Sequence, residues 1–217
     1  MSLDYSIVIH KLPLLLEGCL VTLEISFFSL LLGMVFGTAG ALCRLSSNSI
    51  LNKIAFLYVW IIRGTPVMVQ LFILYFGFPQ LGIKLSSMTA GILGLAVNTG
   101  AYITEIIRAG IQAVDKGQLE ASMSLGMNYR QAMVRIIAPQ AAKICIPPLV
   151  NQYIMTLKNS SIASLVTITE LFRTGEQIIY TTFRGFEVYT VVAFLYLIMN
   201  SVFMAAANKL EKGLARQ

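Results

Sequence analysis

The chain has 217 residues, of which 57% are hydrophobic and only 12% charged, a balance too apolar for an ordinary soluble domain. Its 16 Lys and Arg outnumber 10 Asp and Glu, but the cations fall mostly between apolar stretches, as in a membrane protein and not as in a nucleic-acid-binding patch. Cys19, Cys43 and Cys145 share no ligand spacing and the lone His10 has no partner pattern, so the composition points to buried thiols and an interfacial histidine, with neither a disulfide framework nor a metal site.

Residues 1–17 read as a short amphipathic lead-in at the membrane surface, interrupted by Pro13. No cleavable signal stands out, because the first apolar run follows Asp4, Lys11 and Glu17 and is too long. A first membrane span is expected over 18–42, since a bilayer core needs about 20 mostly apolar residues per helix. Gly33, Gly37 and Gly40 line one side of it, where another helix can approach closely. Glu24 lies inside this span. It is costly there unless it faces a path or pairs with a nearby Arg or Lys. After the polar loop from Arg44 to Lys53, a second span is expected over 54–78, containing Arg63-Gly64-Thr65-Pro66. Proline removes a backbone donor and glycine loosens the helix, which gives either a packing kink or an opening onto a substrate path. Pro79 to Lys84 reads as an external turn, and a third span follows over 85–107. Asn98 shares a helix face with Tyr102 and Glu105, and Glu105 stands three residues before Arg108, so the two can pair near the cytoplasmic interface.

Residues 115–135 interrupt the oily pattern. Asp115 is a plausible N-cap with Gln118 three residues on, and Leu119, Met123 and Met127 make a narrow apolar stripe. Gly126 is a natural helix stop, and Asn128 to Gln131 repeats the cap logic, so two short helices joined at a glycine are expected. A fourth span is expected over 136–157, with Pro147-Pro148 breaking its middle, and residues 158–187 form a segment whose first half is too apolar to sit free in water. The fifth span, 188–208, ends in Lys209, Lys212 and Arg216. Lys116, Arg130 and Arg135 place the 115–135 loop inside, as the tail cations place the C-terminus, and about five transmembrane helices then put the N-terminus outside. The expected fold is an all-α integral membrane protein.

Within that loop, EASMSLGMNYRQAMVRIIAP (Glu120 to Pro139) resembles the EAA signature of ABC-importer permease subunits. Glu120-Ala121-Ser122, then Gly126, then Ile136 and Pro139 carry the likeness, with Ser122 in place of the second alanine and Ala138 in place of a leucine. RGTPVMVQLFILYFG (Arg63 to Gly77) and NTGAYITEIIRAGI (Asn98 to Ile111) are similar to permeases for polar amino acids, and Lys158 to Leu171 resembles that family's external gate segment. The resemblance implies a type I importer core in which 115–135 is the coupling loop, docked on a separate cytoplasmic ATPase through Glu120, Ala121, Ser122, Leu125, Gly126, Tyr129 and Arg130. It also implies an ATPase dimer, a second permease chain (a copy or a homologue), an extracytoplasmic amino-acid-binding protein and a prokaryotic plasma membrane. Transport would proceed by alternating access.

The chain has no GxxxxGK[ST] phosphate loop, no HExxH and no GxSxG, so no enzymatic activity or cofactor of its own is expected; ATP and Mg belong to the partner ATPase. An amino acid zwitterion needs an anion for its ammonium and donors for its carboxylate. The candidate substrate-binding residues are Glu24, Thr65, Met68, Gln70, Asn98, Tyr102, Glu105, Tyr153 and Ser161. A carboxylate at Glu24 favours basic amino acids (arginine, histidine, lysine); glutamine or another polar amino acid is the alternative. An ion-coupled secondary transporter leaves the EAA-like loop unexplained.

Overall fold

A computed structural model describes residues 3–214, with side chains through Lys209, and among these residues every regular element is a helix. Arg216 and the side chain of Lys212 lie outside the described residues. In chain order the α-helices are α1 (Ser6–His10), α2 (Leu12–Leu45), α3 (Ser49–Gly64), α4 (Val67–Phe72), α5 (Ser87–Gln112), α6 (Lys116–Ser124), α7 (Tyr129–Ala132), α8 (Ala138–Asn159), α9 (Leu171–Thr182) and α10 (Gly185–Leu214). Single π-helical turns follow α4 (Ile73–Gly77) and α7 (Met133–Ile137), and 3-10 turns occupy Phe78–Leu81 and Ser160–Val166. Among the described residues four helical stretches are long and apolar enough to cross a membrane, or five if α3 and α4 with its following turns count as one bent span.

Two expectations about proline need correction. Pro13 does not interrupt the lead-in; it sits in the first turn of α2, where its missing N–H would have had no helical partner anyway. The 34-residue α2, roughly 51 Å long at 1.5 Å per residue, therefore begins well before residue 18. Pro147-Pro148 does not break the fourth span, because α8 runs through both residues. Proline's fixed φ is itself helical, and Lys143 and Ile144, whose carbonyls lose a donor, are exposed. At Pro66 the expected break is present: α3 and the helix that follows it meet at 106°.

The centre of the fold is the pairing of α2 with α5. A Cβ at Gly33 would lie 3.0 Å from the Thr99 methyl, and one at Gly37 or Gly40 would come closer still to Ile103 or Thr104. The expected glycine stripe is thus the contact face. Gly100 answers from α5, where an added Cβ would stand 2.9 Å from the Tyr58 hydroxyl, which donates to the Val97 carbonyl at 2.7 Å.

Three apolar clusters hold this pair in place. One joins Leu15 and Cys19 of α2 to Leu157, Leu171, Val188 and Val192, so that α8, α9 and α10 wrap the N-terminal half of α2. A second joins Ile25, Leu71, Leu95, Val166 and Ile168, seating α4 and the 3-10 turn against α2 and α5. The third, Val114, Ile137 and Ala141, binds the end of α5 to the start of α8 beneath α6.

Candidate functional site

The sharp break between α3 and α4 is built from the residues upward. Thr65 and Pro66 are extended (φ −122° and −63°), so the last carbonyls of α3 find no helical donors. Thr65 Oγ1 donates to the Ile61 carbonyl at 2.9 Å. The Gln70 amide, 9% exposed, stands 2.8 Å from the Ile62 carbonyl, 3.1 Å from the Thr65 carbonyl and 2.9 Å from Thr65 Oγ1. Asn98 of α5, also buried, donates to Gln70 Oε1 at 3.1 Å. Thr65, Gln70 and Asn98, all substrate candidates, are therefore brought together, and the Gln70 amide is committed to holding the bend.

Just below the bend, Tyr102 and Glu105 line one side of a cavity of about 630 Å³ that also takes in Arg44, Trp60, Arg63 and Thr65. A second cavity, of about 400 Å³, shares Arg63, Tyr102 and Glu105 and continues along α5 past Ala109 to Ala113, directly before the 115–135 segment. The expected Glu105–Arg108 pair is present at 2.7 Å. Glu105 has a second cation the pattern could not supply, Arg44 from the end of α2, at 3.6 Å. Arg44 is itself held by Asn52, which accepts from its Nη1 at 2.7 Å. The guanidinium of Arg63 lies over the Tyr102 ring, 4.9 Å from its centroid.

The remaining substrate candidates fall elsewhere. Glu24 is exposed on α2 and, among the described residues, has no hydrogen bond or ion pair. Met68 is exposed on α4. Tyr153 is buried and packs edge-on against Phe203 at 4.5 Å. Ser161 donates to the Lys158 carbonyl at 2.8 Å and lines a separate cavity between the Ser160–Val166 turn and α10.

The 115–135 segment is two short helices around a glycine. Asp115 caps α6 by accepting from the Gly117 N–H at 2.7 Å, but Gln118 does not close a capping box; its side-chain Oε1 accepts from Gln140 Nε2 instead, at 3.4 Å. At the other end Gly126 adopts φ +86°, its N–H donates to the Met123 carbonyl at 3.0 Å, and Met127 N–H reaches the Ser122 carbonyl at 3.1 Å. That double bond pattern is a Schellman ending. Asn128 and Gln131 then form a complete capping box for α7, with bonds of 2.9 and 3.0 Å. Leu119 packs toward the Val114–Ile137–Ala141 cluster, whereas Met123, Leu125 and Tyr129 face outward, Leu125 82% exposed. Ser122 is buried and bonds back to the Leu119 carbonyl at 2.8 Å, while Glu120, Ala121 and Arg130 are exposed.

One important residue escaped the sequence reading. Glu170 is fully buried and caps α9, accepting from the Phe172 and Arg173 N–H groups at 2.9 and 2.8 Å and from the Tyr196 hydroxyl at 2.9 Å. Burial raises its pKa, and the backbone and hydroxyl donors oppose that rise. The only signal in the sequence is an acid at a possible N-cap.

Residues 29–216 match the family described as "Binding-protein-dependent transport system inner membrane component". The chain is 35% identical to "Arginine transport system permease protein ArtQ" of Bacillus subtilis (strain 168), covering 99% of this chain and 98% of that one. It is 39% identical to "Probable glutamine ABC transporter permease protein GlnM" of the same organism, covering 99% of each. Among solved structures, "Crystal structure of an amino acid ABC transporter with histidines" holds a chain 40% identical, with a TM-score of 0.93 over 98% of this chain and 99% of that one.

Proposed function

This chain belongs to the binding-protein-dependent transport system inner membrane component family, and we propose that it forms the translocation path of an ATP-driven importer of polar amino acids, with a preference for basic ones. It is the permease subunit of an amino acid ABC importer and a multi-pass inner-membrane protein. ATP and Mg bind a separate cytoplasmic ATPase dimer. A second permease chain completes the path, and an extracytoplasmic amino-acid-binding protein delivers the substrate from the side of the N-terminus. The C-terminus and the 115–135 segment are cytoplasmic.

The observation that carries the energy-coupling role is the 115–135 segment. Its inner face is packed on α5 and α8 while Met123, Leu125 and Tyr129 project outward, an apolar knob suited to a groove on the ATPase. Caps at both ends of the turn make it stiff enough to pass a push to α5 and α8. The Ser160–Val166 turn and α9, tied to α2 and α10 through Glu170, serve as the external gate.

The basic preference rests on Glu24. With no cation on its own chain to pair with among the described residues, its carboxylate must meet water, substrate or a partner chain within the membrane. Uptake by the complete transporter in proteoliposomes tests this. Glu24→Gln is expected to lower arginine, histidine and lysine uptake by about tenfold, one charge-assisted hydrogen bond's worth, and to spare glutamine. Equal losses for arginine and glutamine would remove the basic preference and leave the importer.

A further inference from the structure

Among the described residues, Arg63 is the charged side chain of the inner cavities that has no hydrogen bond or ion pair, although its charge also acts on Glu105 nearby. Of the three arginines around Glu105, Arg44 and Arg108 are ion-paired to it, at 3.6 and 2.7 Å. Arg63 is exposed, stacks on Tyr102 and makes no hydrogen bond or ion pair among the described residues. An exposed guanidinium on a membrane-spanning helix pair cannot be left against acyl chains, so this side of α3 faces water or protein. The two cavities that meet at Arg63, Tyr102 and Glu105 lead along α5 to Ala113, beside the cytoplasmic 115–135 segment.

We propose that Arg63 receives the α-carboxylate of the transported amino acid in the inner half of the path, with the Tyr102 ring holding its guanidinium flat. The proposal rests on the amino acid importer reading above. A guanidinium fork matches a carboxylate with two parallel hydrogen bonds, and stacking on an aromatic face leaves the donor edge open for them. Glu105, already neutralised by two arginines, is not the group that takes the ammonium here. The inner site therefore recognises the carboxylate common to all amino acids, and selectivity among side chains is set elsewhere.

The test is equilibrium binding to the permease–ATPase complex in lipid nanodiscs without the binding protein, which has its own preferences. Arginine, histidine and glutamine are each compared with their α-carboxamides, in zwitterionic lipid and with anionic lipid added. The wild type is expected to bind the acid about tenfold more tightly than the carboxamide. Arg63→Gln should lose that preference by weakening the acid alone, and Arg63→Lys, which keeps the charge without the fork, should retain part of it. If Arg63→Gln keeps the preference, or if it and Arg63→Lys weaken acid and carboxamide alike, the assignment is overturned. An effect seen only with anionic lipid overturns it too, and identifies a phospholipid headgroup at Arg63. A wild type that binds none of the three amino acids undermines the importer reading itself, a failure distinct from the loss of Arg63's role alone.

Discussion

The bend between α3 and α4 and the turn between α6 and α7 solve the same problem in different ways. Each interrupts a helix at a glycine and leaves carbonyls without donors. In the α6–α7 turn the backbone is served from within five residues: the Schellman bonds satisfy the Ser122 and Met123 carbonyls, and the Asn128–Gln131 capping box satisfies two N–H groups at the start of α7. At the α3–α4 bend Thr65 serves the Ile61 carbonyl locally, but the rest of the support reaches across the break and onto another helix. Gln70 reaches back to Ile62 and Thr65, and Gln70 is fixed by Asn98, on a different helix. The first device is a self-contained stiff element on the surface, suited to transmitting force. The second exists only when α4 and α5 are docked, so its geometry depends on how the spans are packed. The glycines differ in the same sense: Gly126 is required by φ +86°, whereas a Cβ at Gly64 would meet nothing within 4 Å.

Substitutions can break this contrast at either end. The largest effect is expected from Gly126→Pro, because proline can adopt neither φ +86° nor the Gly126 N–H bond, a local cost of about 3 kcal/mol or more. Transport-linked ATPase activity should be lost while membrane insertion is unchanged; wild-type coupling in that variant would refute the mechanical role of the turn. Gln70→Leu should come next. It orphans part-buried carbonyls at the bend and the buried Asn98 amide, and thermal unfolding of the purified complex should show a loss of roughly 2–4 kcal/mol. An unchanged melting temperature would mean that the bend is held by packing alone. Asn128→Ala removes one cap of a solvent-exposed helix and should cost about 1 kcal/mol in the same assay. The smallest effects separate the two glycines. Gly126→Ala should cost about 1 kcal/mol from the left-handed backbone, and Gly64→Ala less than about 0.5 kcal/mol. A reversal of that order would contradict the geometry described for both sites.

The same contrast explains what could be read from residue order. The glycine stripe of α2, the Asn128–Gln131 box, the Gly126 stop and the Glu105–Arg108 pair are all short-range patterns, and each is present. Arg44 beside Glu105 and Asn98 beside Gln70 depend on which helices pack together, and nothing local announces them. Prolines are an ambiguous signal: the expected break is present at Pro66, where the chain bends by 106°, but Pro13 opens α2 and Pro147-Pro148 lie within α8. Glu170 went unnoticed because its burial depends on Thr22 and Tyr196, from helices far away in the sequence.

The most direct test of the central claim is ATP hydrolysis by this chain reconstituted in liposomes with its ATPase and binding protein, screened against single amino acids. The account predicts that hydrolysis rises with a polar amino acid, with arginine, histidine or lysine giving the largest response, and that Gly126→Pro abolishes the rise. Hydrolysis indifferent to every amino acid, in a complex that contains all partners, would contradict it.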